Sequence, residues 1–204
     1  MGHQNKYIFI HIPKTAGTSV AHALQEAQFP HTVKGTRFGY KKHTPALTIK
    51  QNISNAIWKS HFKFAFVRNP WDLMVSSYCW WLRKGRLFDE SIAQKAKQVE
   101  QFDNFKQFIL SDFGRTHINE IKAQDLSHWI CDENGAIIIN FVGKVENLEQ
   151  DLEYVFSQLG TSCPNLTVSN ASQRDTYRTY YDQETKEVIQ NRFNWTIKTF
   201  NYEF

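Results

Sequence analysis

One short segment near the start of the chain combines a lysine, three hydroxyl side chains and a glycine. It reads Ile12-Pro13-Lys14-Thr15-Ala16-Gly17-Thr18-Ser19 and follows a run of β-branched and aromatic residues. A strand that turns into a helix presents unpaired backbone N–H groups and the helix dipole to the connecting loop. Gly17 lets the backbone come close to a ligand, and Lys14 adds a mobile positive charge. We expect residues 12–19, here called the anion loop, to bind phosphate or sulfate; the alternative is a lysine beside an ordinary helix start.

The order of residues in the anion loop differs from that of a Walker A motif. In GxxxxGK[ST] the lysine stands at the helix end of the loop. Here Lys14 comes first and Gly17 three residues later, and no acidic residue of the Walker B type follows a strand. A magnesium-dependent nucleoside triphosphatase is therefore disfavoured.

A second candidate anion site follows the run FKFAFV. Arg68 ends that run, and its planar guanidinium can grip a phosphate with two parallel hydrogen bonds. Asn69 is a good N-cap and Pro70 suits the first helical position. Ser76 lies two turns into the following helix, off its apolar stripe. The alternatives are an Arg68–Asp72 ion pair and, for Ser76, a small polar residue on a helix flank.

The elements that position these residues alternate between strand and helix. Strands are predicted over residues 6–12, 62–67 and 136–142. Helices are predicted over residues 15–29, from Pro70 onward, over 102–110 with Asp103 as cap, over 147–159 with Gly160 as stop, and from Asp182 to the last residues. The helix from Pro70 shows one apolar stripe: Trp71, Met74, Val75, Tyr78, Cys79 and Leu82. This order predicts an α/β, three-layer, P-loop-like fold with a short central parallel sheet flanked by helices.

Composition limits the class of protein. The chain has 204 residues, 41% hydrophobic and 22% charged, which predicts a single domain over residues 1–204. A net charge of +4 favours a small anionic ligand and does not indicate nucleic acid. Three scattered cysteines and eight histidines without metal-ligand spacing predict neither a disulfide scaffold nor a metal site. No membrane span or signal peptide is expected, so a cytoplasmic location is predicted.

The two anion motifs together resemble those of a known family. PKTAGTS after a strand, followed by FAFVRNPWDLMVSSY, is similar to the sulfotransferases that use 3′-phosphoadenosine 5′-phosphosulfate (PAPS). The resemblance is closest to the carbohydrate branch that includes the heparan sulfate 2-O enzymes. FVGKVENL at residues 141–148 and the FNY ending at 200–202 resemble further family segments. The resemblance covers nearly the whole chain and is thinnest between residues 83 and 128.

This resemblance implies a sulfotransferase that takes a sulfuryl group from PAPS without a metal and leaves 3′-phosphoadenosine 5′-phosphate (PAP). Lys14, as the family's loop lysine, would stabilise the departing oxygen or protonate it. Arg174 resembles a late basic loop that closes over the 3′-phosphate, with a surface arginine as the alternative. The implied donor-binding residues are Lys14, Thr15, Ala16, Gly17, Thr18, Ser19, Arg68, Ser76 and Arg174.

The acceptor hydroxyl needs a base that titrates near neutrality, which favours histidine. His43 lies between the two motifs, where this branch carries its catalytic histidine; the alternative is an exposed loop histidine among lysines. His11 belongs to the first strand and is interpreted as structural. His61 is the reserve base.

The acceptor itself is not specified by motif. Polysaccharide, glycolipid and small natural product all stay open, as does the oligomeric state, and the variable stretch 83–128 is expected to form an acceptor-side or lid region. Two other functions are carried as alternatives: a small-molecule kinase with an atypical phosphate loop, and a nucleotide-binding protein that has lost catalysis.

Overall fold

The computed structural model describes residues 6–29, 40–84, 90–165 and 176–204. The chain forms two compact units, which are described separately below. The first unit is drawn from residues 1–68 and 127–171, and the second from residues 69–126 and 172–204. The single domain over residues 1–204 stays a prediction.

Five strands and eleven helices are described, with most of the helices in runs between the strands. The strands are β1 (Tyr7–Ile10), β2 (Phe62–Val67), β3 (His117–Ile118), β4 (Ile121–Lys122) and β5 (Phe141–Lys144). The helices are α1 (Gly17–Glu26), α2 (Ala46–Asn52), α3 (Asn55–Ser60), α4 (Pro70–Lys84), α5 (Glu90–Glu100), α6 (Phe105–Leu110), α7 (Asp112–Thr116), α8 (Ser127–Ile130), α9 (Leu148–Leu159), α10 (Gln183–Arg192) and α11 (Asn194–Phe200). Short 3₁₀ helices cover Val145–Asn147 and Tyr177–Tyr180.

The first unit is built on a parallel sheet with the strand order β1-β2-β5. Every residue of β1 and β2 is buried, as expected of parallel strands covered on both faces. Ile10 lies beside Ala65, and Val67 lies beside Lys144, so the carboxyl ends of the three strands meet at one edge. The predicted α/β fold with a short parallel sheet flanked by helices is confirmed.

The core of the first unit lies between this sheet and two helices. Alternate residues of β1 and β2 share one face, and they pack against the apolar sides of α1 and α9. The buried cluster comprises Tyr7, Phe9, Val20, Ala23, Leu24, Phe29, Phe62, Phe64, Phe66, Leu152, Val155, Phe156 and Leu159. Truncating a buried phenylalanine of this kind to alanine costs about 3–5 kcal/mol, so this cluster holds the start of α1 firmly against the strand ends.

The third strand forms later in the chain than predicted. We expected residues 136–142, but the strand covers Phe141–Lys144. A turn takes the start of the aliphatic run instead, because the Asp132 carboxylate accepts hydrogen bonds from the N–H groups of Asn134 and Ala136, each at 3.0 Å. Local side-chain-to-backbone bonding of this kind competes with strand pairing.

In the second unit, α4 begins where predicted and has the predicted cap. The Asn69 Oδ1 atom accepts hydrogen bonds from the N–H groups of Trp71 at 3.1 Å and Asp72 at 3.4 Å. The single apolar stripe is only partly right, because Leu82 is 42% exposed whereas Trp81, outside the stripe, is fully buried. Helices α5, α6 and α10 all pack on α4, so its buried face is wider than one stripe.

The helix predicted over residues 102–110 begins later, at α6. Asn104 is its cap, with Oδ1 accepting from the Gln107 N–H at 3.0 Å, and the prediction of Asp103 as cap is wrong. Asp103 instead accepts a hydrogen bond from the Gln107 side chain at 2.8 Å. The difference is one residue, and both side chains favour helix starts.

The last predicted helix is divided in two. Asp182 caps α10 as predicted, with a capping box that pairs it with Thr185. The helix ends at Arg192 because Phe193 leaves helical geometry, with φ −102° and ψ 27°, and is fully buried. The chain resumes as α11. Periodicity alone could not show this break, because the apolar spacing continues across it.

Candidate functional site

Two left-handed residues give the anion loop its shape. Lys14 has φ 65° and Ala16 has φ 58°. Residues other than glycine rarely adopt such backbone angles. Each such residue costs on the order of 1–3 kcal/mol of folding free energy, and residues of this kind concentrate at functional sites. These residues turn the chain from the end of β1 into the first turn of α1.

Helix α1 begins without a side-chain cap. Ala16 occupies the N-cap position, where its methyl group accepts no hydrogen bond, and the first turn contains no acidic residue. In any α-helix the first N–H groups have no acceptor inside the helix. Together with the helix dipole, these groups favour an anion at the start of α1, which supports the predicted loop.

The hydroxyl groups of the loop have different surroundings. Thr15 is fully buried, and its Oγ1 donates a hydrogen bond to the Ile12 carbonyl at 3.0 Å. That hydrogen bond stabilises the loop conformation. A ligand contact at Thr15 would therefore be made by its backbone and not by its side chain. Thr18 is half-buried and Ser19 is 7% exposed, both on the first turn of α1.

The side chain of His11 explains why residue 17 is a glycine. A Cβ atom added at Gly17 would overlap the His11 imidazole, with Nε2 the nearest atom. His11 is 6% exposed and stacks on Phe9 with ring centroids 5.4 Å apart. Glycine is therefore required here so that the start of α1 can lie against His11. Close approach of a ligand, the role that the sequence predicts for Gly17, is therefore not the only reason for a glycine at this position.

Arg68 joins the second motif to the first. It follows β2 directly, is half-buried, and its Nη1 donates a hydrogen bond to the Lys14 carbonyl at 3.1 Å. A guanidinium has five N–H donors, of which this bond uses one. Two of the three positively charged residues of the predicted donor site, Lys14 and Arg68, thus lie at one edge of the sheet.

His43 is tied to the residue that follows β1. Its Nδ1 donates a hydrogen bond to the His11 carbonyl at 2.8 Å, and the two rings meet edge-on with centroids 4.9 Å apart. Because a carbonyl only accepts, the proton of the neutral ring is on Nδ1 and the lone pair on Nε2. A half-buried histidine in this tautomer can accept a proton through Nε2, as the predicted base requires.

His61, the reserve base, belongs to a different network. It is 8% exposed at the end of α3, and its Nδ1 donates to the Ile57 carbonyl at 2.8 Å. The His61 carbonyl in turn accepts from the Lys63 Nζ at 2.9 Å, which also donates to Trp58. Burial lowers the pKa of Lys63. These contacts hold α3 against β2 and give His61 a structural setting.

The strand ends bring several predicted residues together. β1 and β2 are parallel neighbours, so the anion loop after β1 and Arg68 after β2 start from the same edge of the sheet. His43 reaches that edge through the His11 carbonyl. Ligands of open α/β sheets bind outside the carboxyl ends of the strands, where Lys14, Arg68 and His43 are gathered here.

The structure tests neither of two further predicted donor residues. Ser76 is half-buried on α4 in the second unit. Arg174 falls outside the residues that the structure describes. Both stay predictions as donor-binding residues.

The described ranges contain no group of three His, Cys, Asp or Glu side chains that could hold a metal ion. In the same ranges, no helix has the length and apolar character needed to cross a bilayer.

Sequence reasoning missed the part that His11 plays at the site. The alternation of β1 places His11 on the same face as Tyr7 and Phe9, which is the face that α1 covers. If the alternation is continued by one residue beyond β1, it places the His11 ring on the face that α1 covers, next to the anion loop. The hydrogen bond from His43 to its carbonyl carries no sequence signal.

The chain is similar to known proteins over most of its length. A family model described as "Sulfotransferase family" matches residues 1–203. An uncharacterised protein from Archaeoglobus fulgidus is 26% identical over 134 residues, covering 66% of this chain and 97% of that protein. Carbohydrate sulfotransferase 10 from Danio rerio is 22% identical over 176 residues, covering 70% of this chain and 47% of that protein. The chain thus spans about half the length of this second relative. No solved structure matches the chain.

Proposed function

Because the chain belongs to the sulfotransferase family, we propose that it transfers a sulfuryl group from PAPS to an acceptor hydroxyl by in-line displacement, leaving PAP. The observation that carries this proposal is the hydrogen bond from Arg68 to the Lys14 carbonyl. It joins the two anion motifs into one basic site beside an uncapped helix start, which suits a ligand with separate phosphate and phosphosulfate groups.

The donor residues divide by the group they would hold. The backbone of residues 15–19 and the Lys14 side chain would bind the 5′-phosphosulfate, and Arg68 would bind the 3′-phosphate. Ser76 and Arg174 stay predicted donor-binding residues. PAPS supplies the activated sulfuryl group. Arg68 suits the 3′-phosphate because its planar fork matches two phosphate oxygens, which an ammonium cannot do.

The chemistry needs a base on one side of the sulfur and a cation on the other. As the acceptor oxygen forms its bond to sulfur, its proton passes to Nε2 of His43. The bond from sulfur to the 5′-phosphate oxygen breaks, and the charge that grows on this oxygen is stabilised or protonated by Lys14. The His11 carbonyl then stabilises the imidazolium, because Nδ1–H still donates to it.

The acceptor is proposed at the level of chemical class, a hydroxyl on a carbohydrate or another small molecule. The name of the Danio rerio relative makes sugars the first class to test.

Calorimetric titration with PAP, without metal, tests the donor site, with ADP and Mg-ATP alongside. We expect PAP to bind at least tenfold more tightly than ADP, and this preference to be lost in Arg68→Ala and reduced in Arg68→Lys. Lys198→Met, which removes an exposed charge on α11, is the matched control. Binding that requires magnesium would favour the kinase, whereas PAP binding without turnover of PAPS against any hydroxyl would favour the inactive binding protein.

A further inference from the structure

His11 contacts both halves of the proposed site through different atoms. Its ring lies against Gly17 of the anion loop, so closely that no Cβ fits between them. Its carbonyl accepts the Nδ1–H of His43 at 2.8 Å, and its ring meets the His43 ring edge-on. A single residue therefore touches the loop proposed to hold the donor and the histidine proposed as base.

The His11 ring is itself held in place. It stacks on Phe9, which belongs to the buried cluster between the sheet and α1, and only 6% of His11 is exposed. Because Phe9 holds the His11 ring in place, the ring is fixed relative to the sheet. Its contacts with Gly17 and His43 then fix these two residues relative to the sheet as well. Close-packed interiors yield little to such contacts.

The contacts with His43 fix two separate properties of that ring. The hydrogen bond to the carbonyl selects the tautomer and anchors Nδ1, but it permits rotation of the ring about the hydrogen bond. The edge-on ring contact, at an interplanar angle of 81°, restricts that rotation. Together they determine where Nε2 points.

We propose that His11 is a positioning residue that sets the direction of the His43 Nε2 relative to the anion loop. This inference rests on the proposed function only in giving that alignment a purpose, since base and leaving group must lie on opposite sides of the sulfur. The geometry itself can be tested without an acceptor or any turnover.

The first test is a double-mutant cycle of His11→Ala and Gly17→Ala, read by urea unfolding and by calorimetric titration with PAP. Gly17→Ala alone should weaken PAP binding at least tenfold, because its methyl group displaces the His11 ring or the loop. In the His11→Ala background the same change should cost less than threefold, since the ring is no longer there. Equal losses in both backgrounds would overturn the proposal.

The second test reads the His43 tautomer by long-range ¹H–¹⁵N NMR. In the unaltered protein Nδ1 should show the shift of a protonated nitrogen and Nε2 that of an unprotonated one. His11→Phe and His11→Ala both keep the backbone carbonyl, so both should keep this tautomer. His11→Phe also keeps an aromatic ring beside His43 and should preserve the nuclear Overhauser contacts of the His43 ring protons, whereas His11→Ala should lose or average them. His61, whose Nδ1 donates to a different carbonyl, should not change and serves as internal control.

The two failures can be told apart. Absence of PAP binding in the unaltered protein would contradict the proposed function, while the unfolding cycle and the tautomer would still test His11. An Nε2–H tautomer in the unaltered protein, or unchanged Overhauser contacts of the His43 ring in His11→Ala, would overturn the role of His11 even if PAP binds tightly.

Discussion

At the scale of single residues, Lys14 combines a strained backbone with a mobile charge. Its φ of 65° and the hydrogen bond that its carbonyl accepts from Arg68 fix the main chain, so the ammonium is the part that can follow a ligand. A cation placed where charge develops contributes mainly in the transition state.

Lys14→Ala should therefore lower kcat for PAPS turnover about 100–1000-fold while weakening PAP binding far less. Alanine and lysine pay similar costs in the left-handed region, so the comparison isolates the side chain. Release of PAP from PAPS with a mixture of simple sugars measures the rate, and calorimetry measures binding. A loss in PAP affinity as large as the loss in kcat would show that Lys14 only holds the donor.

His117, in the second unit, links stability to pH. Burial, with a contribution from Lys95, lowers its pKa below the ordinary 6.5, and its ring stacks on Phe113 with centroids 4.6 Å apart. Protonation is therefore easier in the unfolded chain. The contribution of neutral His117 is complete above pH 6.5 and is lost as the pH falls through the lowered folded pKa.

We expect the free energy of unfolding to decrease as the pH falls below 6.5, and to decrease less in His117→Gln. Urea unfolding at several pH values measures this slope. His22→Gln, which changes an exposed histidine on α1, should leave the slope as it is. An identical slope in His117→Gln and the unaltered protein would contradict the assignment.

At the scale of elements, the start of α4 depends on both polar atoms of the Asn69 side-chain amide. Asn69 Oδ1 caps the helix, and its Nδ2 donates to the Glu203 carbonyl at 2.8 Å. One side chain thus fixes both the first turn of α4, which directly follows Arg68, and a segment 134 positions away.

Asn69→Ala should destabilise the protein by about 1–3 kcal/mol, the sum of a lost cap and a lost hydrogen bond. Asn69→Asp keeps the capping oxygen and loses only the donor, so it should cost roughly half as much. Urea unfolding provides both values. If Asn69→Asp proves as costly as Asn69→Ala, the bond to Glu203 outweighs the cap.

Elements with strong local signals could be predicted from sequence. The buried runs of β1 and β2, the Asn69 cap and the stop at Gly160, which has φ 79°, all lie where the patterns indicated. The break at Phe193 and the late start of β5 could not, because long-range packing and a local turn at Asp132 decide them.

The candidate site shows the same division. Lys14 and Arg68 could be found as residues because their motifs are local. Their hydrogen bond, and that between His43 and His11, join residues 54 and 32 positions apart, which no local pattern records. For Thr15 the residue type was misleading. A threonine in this motif predicts a hydroxyl contact with the ligand, but the buried Thr15 hydroxyl donates to the Ile12 carbonyl instead.

At the scale of the whole molecule, a half-buried cation holds several elements of the second unit together. The Arg192 guanidinium donates to the carbonyls of Gly114 at 2.6 Å, Ala123 at 2.8 Å and Gln124 at 3.2 Å. Burial lowers its pKa to about 10, so it remains charged at neutral pH. These bonds tie α10 to α7 and to the segment after β4.

Arg192→Met should cost about 3–5 kcal/mol, because methionine fills much of the volume but leaves three carbonyls without their donor. Lys198→Met removes the same charge from an exposed position and should change stability by less than about 0.5 kcal/mol. Thermal unfolding of both variants gives the comparison. A loss under 1 kcal/mol in Arg192→Met would mean that water replaces the guanidinium.

The buried Lys63 has a consequence for the chain before it folds. The segment FKFAFV carries one charge. Its other residues are apolar, and the three phenylalanines and the valine have high β-propensity, so without the charge the segment would match the composition of segments that assemble into cross-β fibres. Burying that amine destabilises the folded protein, and the hydrogen bonds that it donates to the Trp58 and His61 carbonyls offset this destabilisation in part. Lys63 thus acts as a gatekeeper against aggregation, and Lys63→Met should form more insoluble protein on dilution from urea even where its folded state is no less stable.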